Sequence, residues 1–230
     1  MTVSKSLLCR LALPTLILGA AVPVVAQTRD HPPVSLPGAS QMMQDAPGSE
    51  SWTYAQPVSR FQKYRTVIVD PTTVYQGPDA QFEGIDYADR AKFAAIITDE
   101  LRSEIAKTFP TPATPQADTL RVRVTLLGAK KTVGGLATAT RVTPLGFATS
   151  ALKSALGKKG TLTGSVLYAV ELYDARTNEL LLAAVRRRTP DPLDVPATFS
   201  TTDTVKAIAR EFGDGARKRL EALTGMVPNP

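Results

Sequence analysis

The side chains best suited to covalent or acid–base chemistry are few in this chain. His31 is its one histidine and Cys9 its one cysteine. A Ser-His-Asp relay needs an imidazole held by a scaffold, and His31 lies in a stretch containing Pro32, Pro33 and Pro37. Zinc sites need several His or Cys ligands, and a single histidine offers no such pair. No glycine-rich loop runs into Lys and Ser or Thr between a strand and a helix, so a phosphate cradle is not expected. Paired carboxylates are what remains for proton transfer. Glu83, Asp86 and Asp89 gather where a helix should begin, which reads as capping and a dipole interaction of about 0.3–1 kcal/mol each. Glu171 and Asp174 are placed to pair across strands with Arg186 or Arg188. The expectation is a non-enzymatic chain with no cofactor and no metal.

The densest positive feature is Arg186-Arg187-Arg188. Alternation along a strand puts Arg186 and Arg188 on one side. Arg121 and Arg123 are expected to line the same open face. The four together form a candidate face for an anionic partner, an envelope protein or an anionic envelope surface; a merely solvated face is the competing reading. Nucleic acid is not expected, because no RNA-binding signature accompanies these residues.

The elements that must position these residues follow from periodicity. Residues 64–75 read as a strand interrupted at Asp70-Pro71. Asp86 caps a helix to about residue 109, with Phe93, Ile97, Leu101 and Ile105 on one apolar face. Residues 119–130, 161–174 and 179–188 read as three more strands, the last two joined by a hairpin at Asp174-Ala175-Arg176-Thr177-Asn178. Ser200 to Asp203 cap a final helix that ends near Gly225, with Val205, Ile208, Ala209, Phe212, Ala216 and Leu220 as its buried stripe. The order is β-α-β-(insert)-β-β-α. It predicts an α+β domain over residues 60–226: a small mixed or antiparallel sheet of about four strands with two main helices on one face. The insert, residues 133–160, is rich in Gly, Ala, Thr and Leu, and residues 147–156 can form a short amphipathic helix. It reads as a loop across the sheet, a partner contact, or a membrane contact or pocket cover.

Ahead of the domain, residues 27–59 are rich in Pro, Ser and Gly, which predicts a disordered tether; Trp52 and Tyr54 are exceptions suited to docking on the domain. Residues 1–26 read as a cleavable signal peptide: Lys5 and Arg10 precede an apolar run, and Val24 and Ala26 stand at −3 and −1 of a cut before Gln27. That run is short of the ~20 residues a spanning helix needs, and no second run approaches that length, so the mature chain is expected to have no transmembrane span. The signal holds two of 27 basic and none of 21 acidic residues, leaving a mild net charge of +4.

Thr119-Leu-Arg-Val-Arg-Val-Thr-Leu, the small-residue insert and Gly164 through Arg186 together resemble a bacterial family of lipoprotein-type sequences, domain of unknown function 3313. The family's acidic strand end and "D-S-x-T-G-E" type turn match Asp174 to Glu179, with Asn178 in place of Gly; Asn tolerates left-handed backbone. The resemblance spans roughly residues 61–223. It implies an envelope location and no assigned activity. It also implies a lipid anchor, which Cys9 does not supply, because it precedes the apolar core of the signal. The chain therefore reads as an exported, periplasmic, non-enzymatic envelope protein acting through binding or assembly. The alternative is a periplasmic carrier or sensor of a lipid or other apolar ligand. Intact-mass analysis of protein recovered from the envelope should find a thiol-free chain starting at Gln27 with no lipid attached; a chain retaining Met1 or carrying acyl mass would contradict the export reading.

Overall fold

A computed structural model of the chain describes residues 32–33, 35–82, 84–131, 164–190 and 200–227. The signal, His31, Glu83 and the insert lie outside the described residues. Among the described residues, seven strands form one mixed sheet: β1 (Met43–Gln44), β2 (Trp52–Ala55), β3 (Thr66–Val69), β4 (Thr73–Val74), β5 (Thr119–Lys130), β6 (Ser165–Asp174) and β7 (Leu180–Arg188). Their spatial order is β1-β2-β7-β6-β5-β3, with β4 also on β5. β3 and β4 run parallel to β5, and the other pairings are antiparallel. Helix α1 (Tyr87–Ile105) forms the crossover between the parallel strands, and α2 (Thr201–Thr224) follows β7. Among the described residues no helix is long and apolar enough to cross a membrane.

The expectation of about four strands is corrected to seven. Pro71 splits the first expected strand into β3 and β4, since proline cannot donate to a ladder. The segment expected to be a disordered tether supplies β1 and β2, and Trp52, buried against the sheet, anchors it. These strands are two and four residues long, too short for alternation to show.

Local signals match local structure elsewhere. The Asp86 carboxylate accepts from Asp89 N at 2.8 Å, and Ser200 Oγ accepts from Asp203 N at 3.1 Å, so both helices begin at their expected caps. Gly225 ends α2 with φ of 72°, a left-handed conformation natural to glycine. Asn178 holds φ of 59°, so it fills the turn position where a glycine is usual.

Both helices pack on one face of the sheet. Phe93, Ile97, Leu101 and Ile105 of α1 and Val205, Ile208 and Leu220 of α2 enclose the even-numbered residues Leu120 to Leu126 and Val166 to Leu172. The other face has its own apolar cluster, in which Leu36, Met42, Trp52 and Tyr75 cover Leu167, Ala183 and Val185. This second cover keeps apolar residues on both sides of β6 and β7 out of water.

The helices meet at Gly213, where a β-carbon would stand 2.9 Å from Glu104 Cγ and 3.2 Å from the Glu100 carbonyl oxygen. Gly215 faces open space. Alanine should therefore act oppositely at the two sites. In urea melts, Gly213→Ala should lose about 1–3 kcal/mol through overpacking, and Gly215→Ala should gain about 0.5–1 kcal/mol from helix propensity. Equal responses would refute this account of the helix crossing.

Candidate functional site

The four arginines expected on one face stand on two. Arg121 pairs with Tyr173, and Arg123 with Glu171, which pairs with Ala183; this is the face covered by the N-terminal segment. Arg186 pairs with Tyr168, which pairs with Leu126, so Arg186 and Arg188 belong to the helix-bearing face. The expected single face is corrected for a reason of parity. Leu180 to Val185 is apolar throughout because both faces of β7 are buried, so its sequence carries no alternation to count from.

On the covered face both arginines lie beside Asp70. Arg123 lies 3.3 Å from Asp70, donates to Asn178 Oδ1 at 3.1 Å and stacks over the Tyr173 ring at 4.5 Å. Arg121 lies 3.7 Å from the same Asp70. Arg123 and Asp70 border a cleft of about 590 Å³ lined also by Leu36, Tyr75 and Glu171. The expected pairing of Glu171 and Asp174 with Arg186 or Arg188 is not what forms. Arg186 pairs with Asp45 at 3.0 Å and donates to the Trp52 carbonyl and Thr53 Oγ1, clamping β2 to β7. Arg187 pairs with Glu50 and donates to Gln81. Sequence separation hid these acids, since Asp45 and Glu50 reach β7 only through the pairing of β2.

Glu171 and Asp174 share one strand and titrate in opposite directions. Burial lifts the Glu171 carboxyl above its ordinary value, against the pull of the Gly38 N–H at 3.0 Å and the charge of Arg123. Burial also pushes Asp174 upward, but four donors outweigh it: Thr177 N, Lys63 Nζ, the Tyr64 hydroxyl and Arg176 N, at 2.8–3.0 Å. Its pKa is held well below the carboxylate range. Tyr64 responds in the other sense, its phenol raised by burial and by the bond to Asp174.

A second cleft, about 520 Å³, opens between the sheet and α2. Tyr168, Val170 and Leu182 floor it from the strands; Ile208, Phe212 and Ala216 wall it from the helix. The Tyr168 and Phe212 rings meet at 4.6 Å, inclined by 55°. Arg186, Arg188 and Arg219 stand around it together with Glu211. Among the described residues, no carboxylate forms an ion pair with Arg188 or Arg219. Burial raises the Tyr168 phenol, and a hydrogen bond with Arg188 and the charges of Arg188 and Arg186 lower it in part. Thus Arg186 and Arg188 of the expected set reach this cleft, and Arg121 and Arg123 do not. Sequence reading placed Phe212 and Ala216 in a buried stripe; they are half-buried at the cleft wall. It missed Arg219. The spacing of Phe212, Gly215, Ala216 and Arg219 was a usable signal, because steps of three and four share a helix face.

A family model described as "Protein of unknown function (DUF3313)" matches residues 36–216. No curated protein matches the chain. Two solved structures from Paraburkholderia phytofirmans are similar: a point variant of the PelC dodecamer, 12% identical with a TM-score of 0.38, and the PelC dodecamer, 14% identical with a TM-score of 0.37. Each match covers 76% of this chain, and 95% and 96% of the respective PelC chains. Likenesses this loose carry no role or assembly across.

The opposed titrations of Glu171 and Asp174 set a pH test. A lowered native pKa means that the stability from Asp174 is present above the unfolded carboxylate value, ~3.9, and is lost as pH falls through the native one. A raised native pKa gives Glu171 the reverse sign, with stability lost as pH rises through it. In urea melts across pH, Asp174→Asn should cost roughly 1–3 kcal/mol at neutral pH and flatten the acid limb. Glu171→Gln should flatten the decline toward neutrality. An unchanged acid limb in Asp174→Asn would count against this assignment.

Proposed function

The chain belongs to the DUF3313 family, whose function is not established, and we infer that it is an exported, non-enzymatic protein of the cell envelope that acts by binding. The observation that carries this reading is the cleft beside α2, where apolar side chains stay partly uncovered under a cationic border. A concave site with a mostly apolar lining and a few charged groups at its border favours a binding role. The signal-like residues 1–26 and the lack of any cysteine beyond Cys9 support the export part of the reading.

The apolar floor specifically favours the second reading, a periplasmic carrier or sensor of a lipid or other apolar ligand, over protein assembly alone. Protein surfaces that join by assembly tend to be flatter, whereas small-molecule sites are concave and mostly apolar with a few polar groups.

Cell fractionation and site-directed crosslinking test the proposal together. The protein should appear in the periplasmic or envelope fraction. A photo-crosslinking residue in place of Arg219 should yield an adduct with an envelope component. The same residue in place of Lys107, which pairs with Glu104 on α1, should yield none. Cytoplasmic retention, or equal adducts at both positions, would refute the proposal.

A further inference from the structure

The border of the α2 cleft is chemically uneven. Arg186 is committed to Asp45, the Trp52 carbonyl and Thr53. Arg188 and Arg219 are exposed, and among the described residues no carboxylate pairs with either. They line the same cleft as Tyr168 and Phe212, whose rings meet at 4.6 Å. Glu211 is the acid at the border, so the two exposed arginines outnumber it. The open cleft, about 520 Å³, lies within the 300–1,000 Å³ common to small-molecule sites.

We propose that this cleft binds one molecule of a single-tailed anionic amphiphile, with its carboxylate or phosphate head between Arg188 and Arg219 and its apolar body across Phe212 and Tyr168. The proposal rests on the carrier reading above and gives it a ligand class. Guanidinium groups suit such heads because their planar N–H donors match carboxylate and phosphate oxygens two at a time. Head and tail are both needed. An inorganic anion gains nothing from the aromatic floor, and a neutral alkane offers the two guanidinium groups no anion to pair with. Glu211 adds selectivity, since its charge disfavours a second negative group beyond the head.

Gly215 lines the cleft and has open space where a β-carbon would stand. It is thus a position where bulk can fill the cleft without displacing neighbours. This separates blocking from unfolding.

The test is calorimetric titration of the purified protein with dodecanoate and dodecyl phosphate below their micellar concentrations. Dodecylamine, dodecanol and inorganic phosphate serve as controls. Both anionic amphiphiles should bind one to one; the controls should bind at least about tenfold more weakly. Affinity should fall as salt rises from about 0.05 to about 0.5 M, as expected for partly exposed charges. Arg188→Glu and Arg219→Glu should each weaken dodecanoate binding by roughly tenfold or more. Gly215→Phe should abolish it while thermal unfolding shows the fold intact. Lys107→Gln, at an exposed cation that does not line the cleft, should leave it unchanged.

No binding of either anionic amphiphile, equal binding of dodecylamine, or binding untouched by Gly215→Phe would each overturn the proposal. So would association only with anionic phospholipid vesicles, which would assign the arginines to a bilayer surface instead. Failure of the titration with envelope crosslinking through position 219 intact removes the ligand and leaves the binding role. Cytoplasmic retention with successful titration removes the envelope location and leaves the ligand.

Discussion

Strands β5 and β6 cannot be covered by the helices alone, because they carry apolar side chains on both faces. Leu120, Val122 and Val124 face the helices; Leu127, Leu167 and Ala169 face away from them. Each buried aliphatic side chain is worth about 1.5–3 kcal/mol relative to exposure, so the second face is a demand the rest of the chain must meet. The segment from Leu36 to Ala55 meets it. Leu36 and Met42 lie over the sheet, Trp52 extends the sheet past β7, and the Gly38 N–H binds Glu171 beneath them.

That second cover also governs the charges. Once the N-terminal segment lies over the face of Arg121, Arg123 and Glu171, the polar groups there must find partners or be neutralised, because unpaired burial is costly. Arg121 and Arg123 share Asp70, and Glu171 takes a backbone N–H. Pairing of β2 with β7 likewise brings Asp45 and Glu50 to Arg186 and Arg187. Arg188, which meets no carboxylate among the described residues, lies on the other face, where Tyr168 floors and Phe212 walls a cleft beside α2. The distribution of free charge is thus a product of which face each strand residue occupies.

Elements with a private signal were legible in the chain. The amphipathic stripe and Asp86 cap of α1, the Ser200 cap and Gly225 stop of α2, and the Asp174 hairpin with left-handed Asn178 all form within a few residues of the atoms that cause them. The family was legible for the same reason, since strand ends and turns have fixed chemistry. The candidate site was legible only in part. Arg186 and Arg188 were found as a dense basic run, but their company was assigned by an alternation that β7 does not show.

By itself, then, the sequence determined the central strands, both helices with their caps, the family, and a supply of arginine with almost no thiol or imidazole. Tertiary structure alone decided that a proline-rich segment becomes two strands and a cover, and which arginines are neutralised. It also decided that Arg188 and Arg219 come to border one cleft. The division has one physical cause. Caps, turns and helix stripes are satisfied by neighbours in the chain, whereas the face a strand residue occupies is set by what packs on the sheet from far away.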